Sequence, residues 1–206
     1  TLVSVSSRGL LLNIPIRIQS ERISIIADSV GRKLERFWKN RVRWFENKNI
    51  RNIDDTLYRH TQLSLVPFLG TNHRMSGHVI NDYSLNIIGG YSRGVDKLEI
   101  GGVFNFVRSK MNGVQFAGVF NGVGGEMNGI QFAGVFNSNL SATRGVQFAG
   151  ALNMNLDGAR AAQFAGVGNI TRGTQVGPQV AGVFNIVTGD SEPLQVAGVF
   201  NLSAKE

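Results

Sequence analysis

The sequence lacks cysteine and contains little proline and little charge. Without cysteine, disulfides, cysteine-based zinc sites and thiol catalysis are excluded. Only 4 prolines accompany 26 glycines, so we expect the glycines in ordered turns and tight packing rather than in a disordered tract. Charged residues make up 17% of the chain, below the typical ~25%. No apolar run reaches the roughly 18 residues of a membrane-spanning helix, and none is predicted.

The basic charge is concentrated in the first third of the chain. Residues 1–60 hold twelve lysines and arginines against six acidic residues, whereas residues 61–206 hold nine against eight. The second region is therefore almost neutral. Because nucleic-acid-binding surfaces are strongly basic, we expect no nucleic-acid partner for it.

One phrase recurs every sixteen residues through the second half of the chain. Residues 113–121 give it as Gly-Val-Gln-Phe-Ala-Gly-Val-Phe-Asn. A fixed short period without insertions indicates one structural unit that is copied and packed on its neighbours. Its most regular position is an asparagine, found at Asn105, Asn121, Asn137, Asn153, Asn169, Asn185 and Asn201.

Side chains alternate within each copy, which is the period of a β-strand. Gln115, Ala117 and Asn121 fall on one face, and Phe116 and Phe120 on the other. The pattern predicts a mainly β protein, a parallel β-solenoid whose 16-residue coils stack about 4.8 Å apart. The asparagines then form a hydrogen-bonded ladder at a corner. We expect an inner core stack of Phe116, Phe132, Phe148, Phe164, Phe120, Phe136, Phe184 and Phe200.

An outer-membrane antiparallel β-barrel is the alternative fold. Each copy would supply one strand of about 10 residues and a turn, which is long enough to cross a bilayer. Short and long loops should then alternate, whereas all the intervals here are equal. The tyrosines Tyr58, Tyr83 and Tyr91 all precede the exact repeats, so aromatic girdles are missing. These features favour the solenoid and leave the barrel open.

The region before the exact repeats divides into shorter segments. The chain starts at Thr1 in what reads as the middle of a β-strand, so we expect a processed form or a fragment. Composition and periodicity predict the end of a small β-domain over 1–27, an amphipathic helix over 28–48, a linker over 49–60, degenerate first coils over 61–100 and the seven-copy repeat over 101–206.

The predicted helix carries an apolar stripe and a basic face. Its stripe includes Val30, Leu34 and Phe45 at three- and four-residue spacing. Two interpretations remain open: a helix packed on its neighbour with a solvated basic face, or a helix lying against anionic lipid or an acidic partner. For the second, the candidate contact residues are Arg32, Lys33, Arg36, Lys39, Arg41, Arg43, Trp38 and Trp44.

Residues typical of catalysis or metal binding do not form a recognisable pattern. His73 and His78 are five residues apart in a predicted loop, which is not a zinc spacing. We therefore predict a non-enzymatic protein without a cofactor. One other polar residue recurs at the same interval, the glutamine series Gln115, Gln131, Gln147, Gln163, Gln179 and Gln195. It is interpreted as a stabilising ladder or as a binding stripe.

Residues 63–72 read Leu-Ser-Leu-Val-Pro-Phe-Leu-Gly-Thr-Asn, and residues 83–92 read Tyr-Ser-Leu-Asn-Ile-Ile-Gly-Gly-Tyr-Ser. Together with the Gly-Val-Gln-Phe-Ala-Gly-Val-Phe-Asn copies, they resemble Bacteroidota cell-envelope proteins in which a carboxypeptidase-regulatory-like (transthyretin-like) domain precedes glycine-rich repeats. The resemblance implies a location in the cell envelope, on the periplasmic side of or within the outer membrane. It also implies association with an outer-membrane protein complex, such as the type 9 secretion translocon, and gives no catalytic residues.

Three functions are consistent with these features. The first is a rigid solenoid that docks to or plugs an outer-membrane partner, anchored by the N-terminal segment and its basic helix. The second is a membrane-embedded barrel that forms a pore or channel. The third is a ligand-binding surface protein that uses a flat face of glutamine and alanine side chains.

Overall fold

A computed structural model describes residues 20–48, 55–190 and 194–203 of the chain. Its single long helix, α1, spans Ser20–Lys48, so it begins eight residues before the predicted start. The β-domain predicted over residues 1–27 is wrong for residues 20–27, because these residues are helical. Ile23, Ile26, Ala27 and Val30 continue the three- and four-residue spacing of the apolar stripe. The remaining part of the predicted β-domain, residues 1–19, lies outside the described residues.

Strands occupy most of the described chain after the helix. The predicted linker ends earlier than residue 60, because β1 begins at Leu57, and residues 49–54 lie outside the description. The first elements are β1 (Leu57–Val66), β2 (Leu69–Gly70), a 3-10 helix (His73–His78), β3 (Val79–Asn86), β4 (Gly89–Gly101) and β5 (Phe104–Ala117).

From residue 120 onward, each coil consists of short strands joined by tight turns. They are β6 (Phe120–Val123), β7 (Met127–Ala133), β8 (Phe136–Asn139), β9 (Thr143–Ala149), β10 (Leu152–Asn155), β11 (Ala159–Ala165), β12 (Gly168–Thr171), β13 (Gln175–Val176), β14 (Gln179–Ala181), β15 (Phe184–Val187), β16 (Gln195–Ala197) and β17 (Phe200–Ser203).

Parallel pairing at a sixteen-residue offset makes the protein a β-solenoid of about eight turns. Asn121 pairs with Asn137, and Gln131 pairs with Gln147. The degenerate coils predicted over 61–100 join the same stack, because β1, β3, β4 and β5 pair in parallel in that order. Only β1 and β2 pair antiparallel among the described strands. The solenoid prediction is therefore confirmed, and the antiparallel barrel is wrong.

The predicted core stack of phenylalanines is wrong in its placement. Five of the six glutamines are fully buried and Gln195 is half-buried, whereas Phe116 is 39% exposed and Phe132 is half-buried. Phe120 and its equivalents are also half-buried. The interior is narrow: the side chains of Gln131 on β7 and Asn139 on β8 exchange hydrogen bonds at 3.1 and 2.9 Å. That space fits amides, which satisfy one another, and the alternation then directs the rings outward.

The interior changes character along the solenoid axis. In the first coils it contains an apolar cluster of Val95, Val107, Met111, Val123 and Met127. In later coils the positions equivalent to Val123 and Met127 are occupied by Asn139 and Thr143, which are also buried. The two halves of the solenoid thus share a backbone register but differ in what fills them.

Helix α1 lies across the coils on one outer face of the solenoid. Trp38 is 1% exposed, packs edge-on against Phe106 and donates from its Nε1 to the Ser138 Oγ at 3.1 Å. Phe45 stacks on Tyr91 with ring centroids 4.5 Å apart. A helix of this length is about 43 Å long and so matches eight coils, which rise about 38 Å.

Candidate functional site

The conserved position of each repeat forms a column of asparagines inside the solenoid. Each asparagine Nδ2 donates to the Oδ1 of the next, from Asn86 through Asn105 to Asn201, at 2.8–3.1 Å. From Asn105 to Asn185, the same Nδ2 atoms also donate to backbone carbonyls eleven residues ahead, as Asn137 does to Phe148 at 2.8 Å. The column therefore ties neighbouring coils together and closes the corner of each one.

A second column of amides is formed by the six glutamines. Gln131 donates to the Gln115 Oε1 at 2.8 Å, and Gln147 donates to the Gln131 Oε1 at 2.9 Å. These side chains point inward, so the hypothesis of an exposed glutamine and alanine face for ligand binding is wrong. Their geometry is that of a structural ladder.

Glu99 occupies the glutamine position of the preceding coil and is fully buried. Its Oε2 accepts from Gln115 Nε2 at 2.8 Å, and its Oε1 accepts from Asn86 Nδ2 at 3.1 Å. Burial raises the pKa of the Glu99 carboxyl to about 7, although the hydrogen bonds from Gln115, Asn86 and Ser84 oppose that shift. Glu99 lies sixteen residues before Gln115, and this spacing could have predicted from the sequence that Glu99 belongs to the glutamine column.

The outward side of α1 carries the predicted basic residues. All six of them, which we call the basic face, are exposed: Arg32, Lys33, Arg36, Lys39, Arg41 and Arg43. Lys39 pairs with Glu35 one turn away at 2.7 Å, and this ion pair lowers the pKa of Glu35. The guanidinium of Arg41 lies over the Phe37 ring, 5.3 Å from its centroid.

The two tryptophans of the helix have different roles. Trp44 is 48% exposed and contacts Phe45 and Phe68, and it lies next to the basic face because it follows Arg41 by three residues on the helix. Trp38 is buried against the solenoid, which makes its prediction as a partner contact wrong. Its position in the apolar stripe directs it inward, and its indole N–H finds a partner in Ser138. The buried side of α1 therefore fixes the direction in which the basic face points.

A small charged cluster lies on the surface near the first coils. Asp82 Oδ2 is 3.1 Å from both His60 Nδ1 and Lys97 Nζ. The hydrogen bonds from His60 and Lys97 lower the pKa of Asp82, and the same pairing raises the pKa of Lys97. Across the part of the chain that the structure describes, no three histidine or acidic side chains are grouped as metal ligands.

Comparison with known proteins gives no match from which a function could be inferred. No family model matches the chain, and neither a curated protein nor a solved structure matches it. Among the described residues, no helix has the length and apolar character needed to cross a membrane.

Proposed function

We propose that this chain is a non-enzymatic interaction protein of the bacterial envelope, located on the periplasmic side of or within the outer membrane. Its solenoid is a rigid body that docks to or plugs an outer-membrane protein complex, such as the type 9 secretion translocon. The location and partner rest on the resemblance of residues 63–72, 83–92 and the repeats to Bacteroidota envelope proteins. The docking surface rests on the geometry of α1.

The observation that carries the proposal is the fixed orientation of the basic face. Trp38 and Phe45 attach one side of α1 to the solenoid, so the helical period places Arg32, Arg36, Lys39 and Arg43 on the other side, with Lys33 and Arg41 exposed at its flanks. A partner with an acidic surface is attracted by such a patch, which raises the association rate and fixes the orientation of docking. Phe37 and Trp44 at its flank supply apolar contact area.

Rigidity is the second property that the proposal uses. The asparagine and glutamine columns join successive coils through continuous side-chain hydrogen bonds. A partner that contacts the helix therefore positions the whole solenoid, because motion of one coil against the next would break these buried bonds.

Charge reversal of the basic face tests the docking surface. The full chain, the variant Arg32→Glu/Arg36→Glu/Arg43→Glu and the control Arg59→Glu/Arg144→Glu/Arg160→Glu are titrated against purified translocon in detergent by biolayer interferometry. All six arginines are exposed, so both variants change charge equally without opening the core. We expect the first variant to weaken binding about tenfold or more and the control to stay within about twofold. Equal effects of both variants, or no binding by the wild type, would contradict the proposal.

A basic helix can bind either an acidic protein surface or anionic lipid. Binding to vesicles that contain anionic lipid and no protein distinguishes these two partners. If the wild type binds these vesicles as tightly as the translocon, and the first variant does not, the basic face recognises lipid headgroups. If the vesicles fail to bind while the translocon binds, the partner is the protein complex.

A further inference from the structure

The outer face opposite the glutamine column is apolar along the whole solenoid. It carries a stacked ridge, which we call the phenylalanine ridge, whose members pair in register from coil to coil. Its rings are nearly parallel, with centroids 4.7 Å apart for Phe116 and Phe132 and 4.9 Å apart for Phe132 and Phe148. The ridge consists of Leu63, Leu85, Ile100, Phe116, Phe132, Phe148, Phe164, Val180 and Val196.

A groove runs beside the ridge. Gly134, Gly150 and Gly166 present no side chain there, and with the neighbouring alanines they form the floor of an open groove of about 460 Å³. Beyond the glycines lies a second apolar column, linked by backbone hydrogen bonds such as Val119 N–H to the Val103 carbonyl at 2.9 Å. Its members are Ile88, Val103, Val119, Val135, Ala151, Val167, Val183 and Val199.

This face is large and uncharged. The nine ridge positions span about 38 Å at the spacing of stacked strands, and the ridge, groove and neighbouring columns are roughly 16 Å wide. The resulting area of about 600 Å² is at the upper limit of apolar patches on monomers and usually marks an interaction site. Two such faces bury about 1,200 Å², the lower limit of a standard specific interface.

We propose that the phenylalanine ridge and its groove form the interface with a second copy of this chain. A two-fold axis that lies in the interface, parallel to the solenoid axis, places the ridge of each copy in the groove of the other, which is the self-complementary arrangement of a symmetric dimer. Both copies repeat at the same strand spacing, so successive rings and grooves stay matched along the face. Facing sheets with identical side chains interdigitate in this way.

The absence of charge favours a copy of the chain over an unrelated partner. Charged residues close to a two-fold axis meet their own copies and repel, and neither column contains a charged residue. The chain already covers another outer face with its own helix, through Trp38 on Phe106 and Ser138. The phenylalanine ridge has no such cover among the described residues.

Mass measurement with a charge placed on the ridge tests this dimer. Phe132 is the middle position of the ridge, so Phe132→Lys brings two cations close to the axis. Phe37→Lys is the matched control, because it makes the same change at an exposed phenylalanine on α1. Sedimentation equilibrium should give twice 22.4 kDa for the wild type and the control. The Phe132→Lys variant should dissociate about 30-fold more readily, with unchanged circular dichroism.

Single cysteines give an independent measurement, since the chain contains none. Phe132→Cys should form a disulfide-linked dimer under mild oxidation, whereas Ser109→Cys, at an exposed position outside the ridge and groove, should form no disulfide between copies. A wild type that remains at 22.4 kDa at all concentrations would overturn the proposal. So would a Phe132→Lys variant that dimerises as tightly as the wild type. Neither result depends on binding to an outer-membrane complex.

Discussion

Glu99 and Gln115 stand in the same column of the solenoid, and the carboxylate of Glu99 accepts the hydrogen bond that the amide of Gln115 donates, at 2.8 Å. Gln131 and Gln147 continue the column with the same geometry. Glu99 thus places an ionisable carboxyl group in a column whose later members are neutral glutamine amides. Because Glu99 is fully buried, its ionisation carries a cost that the glutamines do not have.

Replacement of Glu99 by glutamine should change how stability depends on pH. The folded protein retains the Glu99 proton to about pH 7, whereas the unfolded chain releases it near the ordinary value of 4.5. The contribution of Glu99 to stability is therefore fully present below about pH 4.5 and is lost as the pH rises through 7. The unfolding free energy of Glu99→Gln, relative to wild type, should rise by about 3 kcal/mol between pH 4 and pH 8.

Urea denaturation of both proteins at pH 4, 6 and 8 measures this difference. The amide also loses one acceptor towards Asn86, but that offset does not vary with pH. Glu126→Gln, at an exposed carboxylate, is the control and should show a much smaller change. A difference between Glu99→Gln and wild type that stays constant from pH 4 to pH 8 would show that Glu99 titrates alike in both states.

The stability lost when one asparagine of the column is replaced by alanine should depend on the position of that asparagine along the solenoid. Asn137→Ala removes bonds to Asn153 and to the Phe148 carbonyl, and it leaves the Nδ2 of Asn121 without its ladder acceptor. We expect it to lower the unfolding free energy by about 3 kcal/mol. Asn201→Ala, in the last described coil, should cost about 1 kcal/mol, because Asn201 is only half-buried, accepts from Asn185 and donates one longer bond to the Gln195 carbonyl, at 3.2 Å. Equal costs in guanidinium denaturation would indicate that the column does not act through neighbouring coils.

Trp38 should determine whether α1 stays attached to the solenoid. Trp38→Ala removes the ring packed on Phe106 and the bond to Ser138, and it should cost about 3–5 kcal/mol. Trp44→Ala removes a half-exposed ring and should cost less than half as much. Limited proteolysis combined with thermal denaturation measures both effects. If α1 of Trp38→Ala resists protease as well as wild type, other contacts hold the helix.

Glycines at the exposed turns should be intolerant of a methyl group. A Cβ on Gly150 would clash with the carbonyl oxygen of Gly134 in the coil before it. Gly150→Ala should therefore destabilise the fold by about 2 kcal/mol or more, although the residue is exposed. The neighbouring Ala151→Gly should cost about 1 kcal/mol or less. The midpoints of urea unfolding compare the two, and an equal cost would mean that the coils are not in such close contact.

The sequence predicted the architecture because the sixteen-residue interval never varies over the exact copies. Equal intervals require that identical positions stack, and the parallel pairing of Asn121 with Asn137 follows from that. The direction of each face could not be predicted in the same way. Alternation separates Gln115 from Phe116 but does not say which one points inward, and hydrophobicity alone assigns the ring to the interior. In the structure the amides point inward instead, because the coil is narrow and the buried amides find hydrogen-bond partners in one another.

Other errors have local causes. The isoleucines of residues 23–26 resemble a strand by propensity, but their spacing extends the helical stripe to Ser20. The partner-contact prediction groups Trp38 with Trp44, although Trp38 lies in the apolar stripe and Trp44 does not; the packing on Phe106 confirms that Trp38 faces the solenoid. The basic residues of α1, in contrast, are all exposed at the positions that the helical period assigns.

Lysine footprinting on outer-membrane vesicles that contain the translocon tests the docking proposal most directly. Lys33 and Lys39 lie on the basic face, whereas Lys97 and Lys110 are exposed on the solenoid and serve as internal references. Acetylation is quantified by mass spectrometry for the free and the vesicle-bound chain. We expect binding to slow acetylation of Lys33 and Lys39 several-fold and to leave acetylation of Lys97 and Lys110 unchanged. Unchanged reactivity at Lys33 and Lys39 in the bound chain would contradict it.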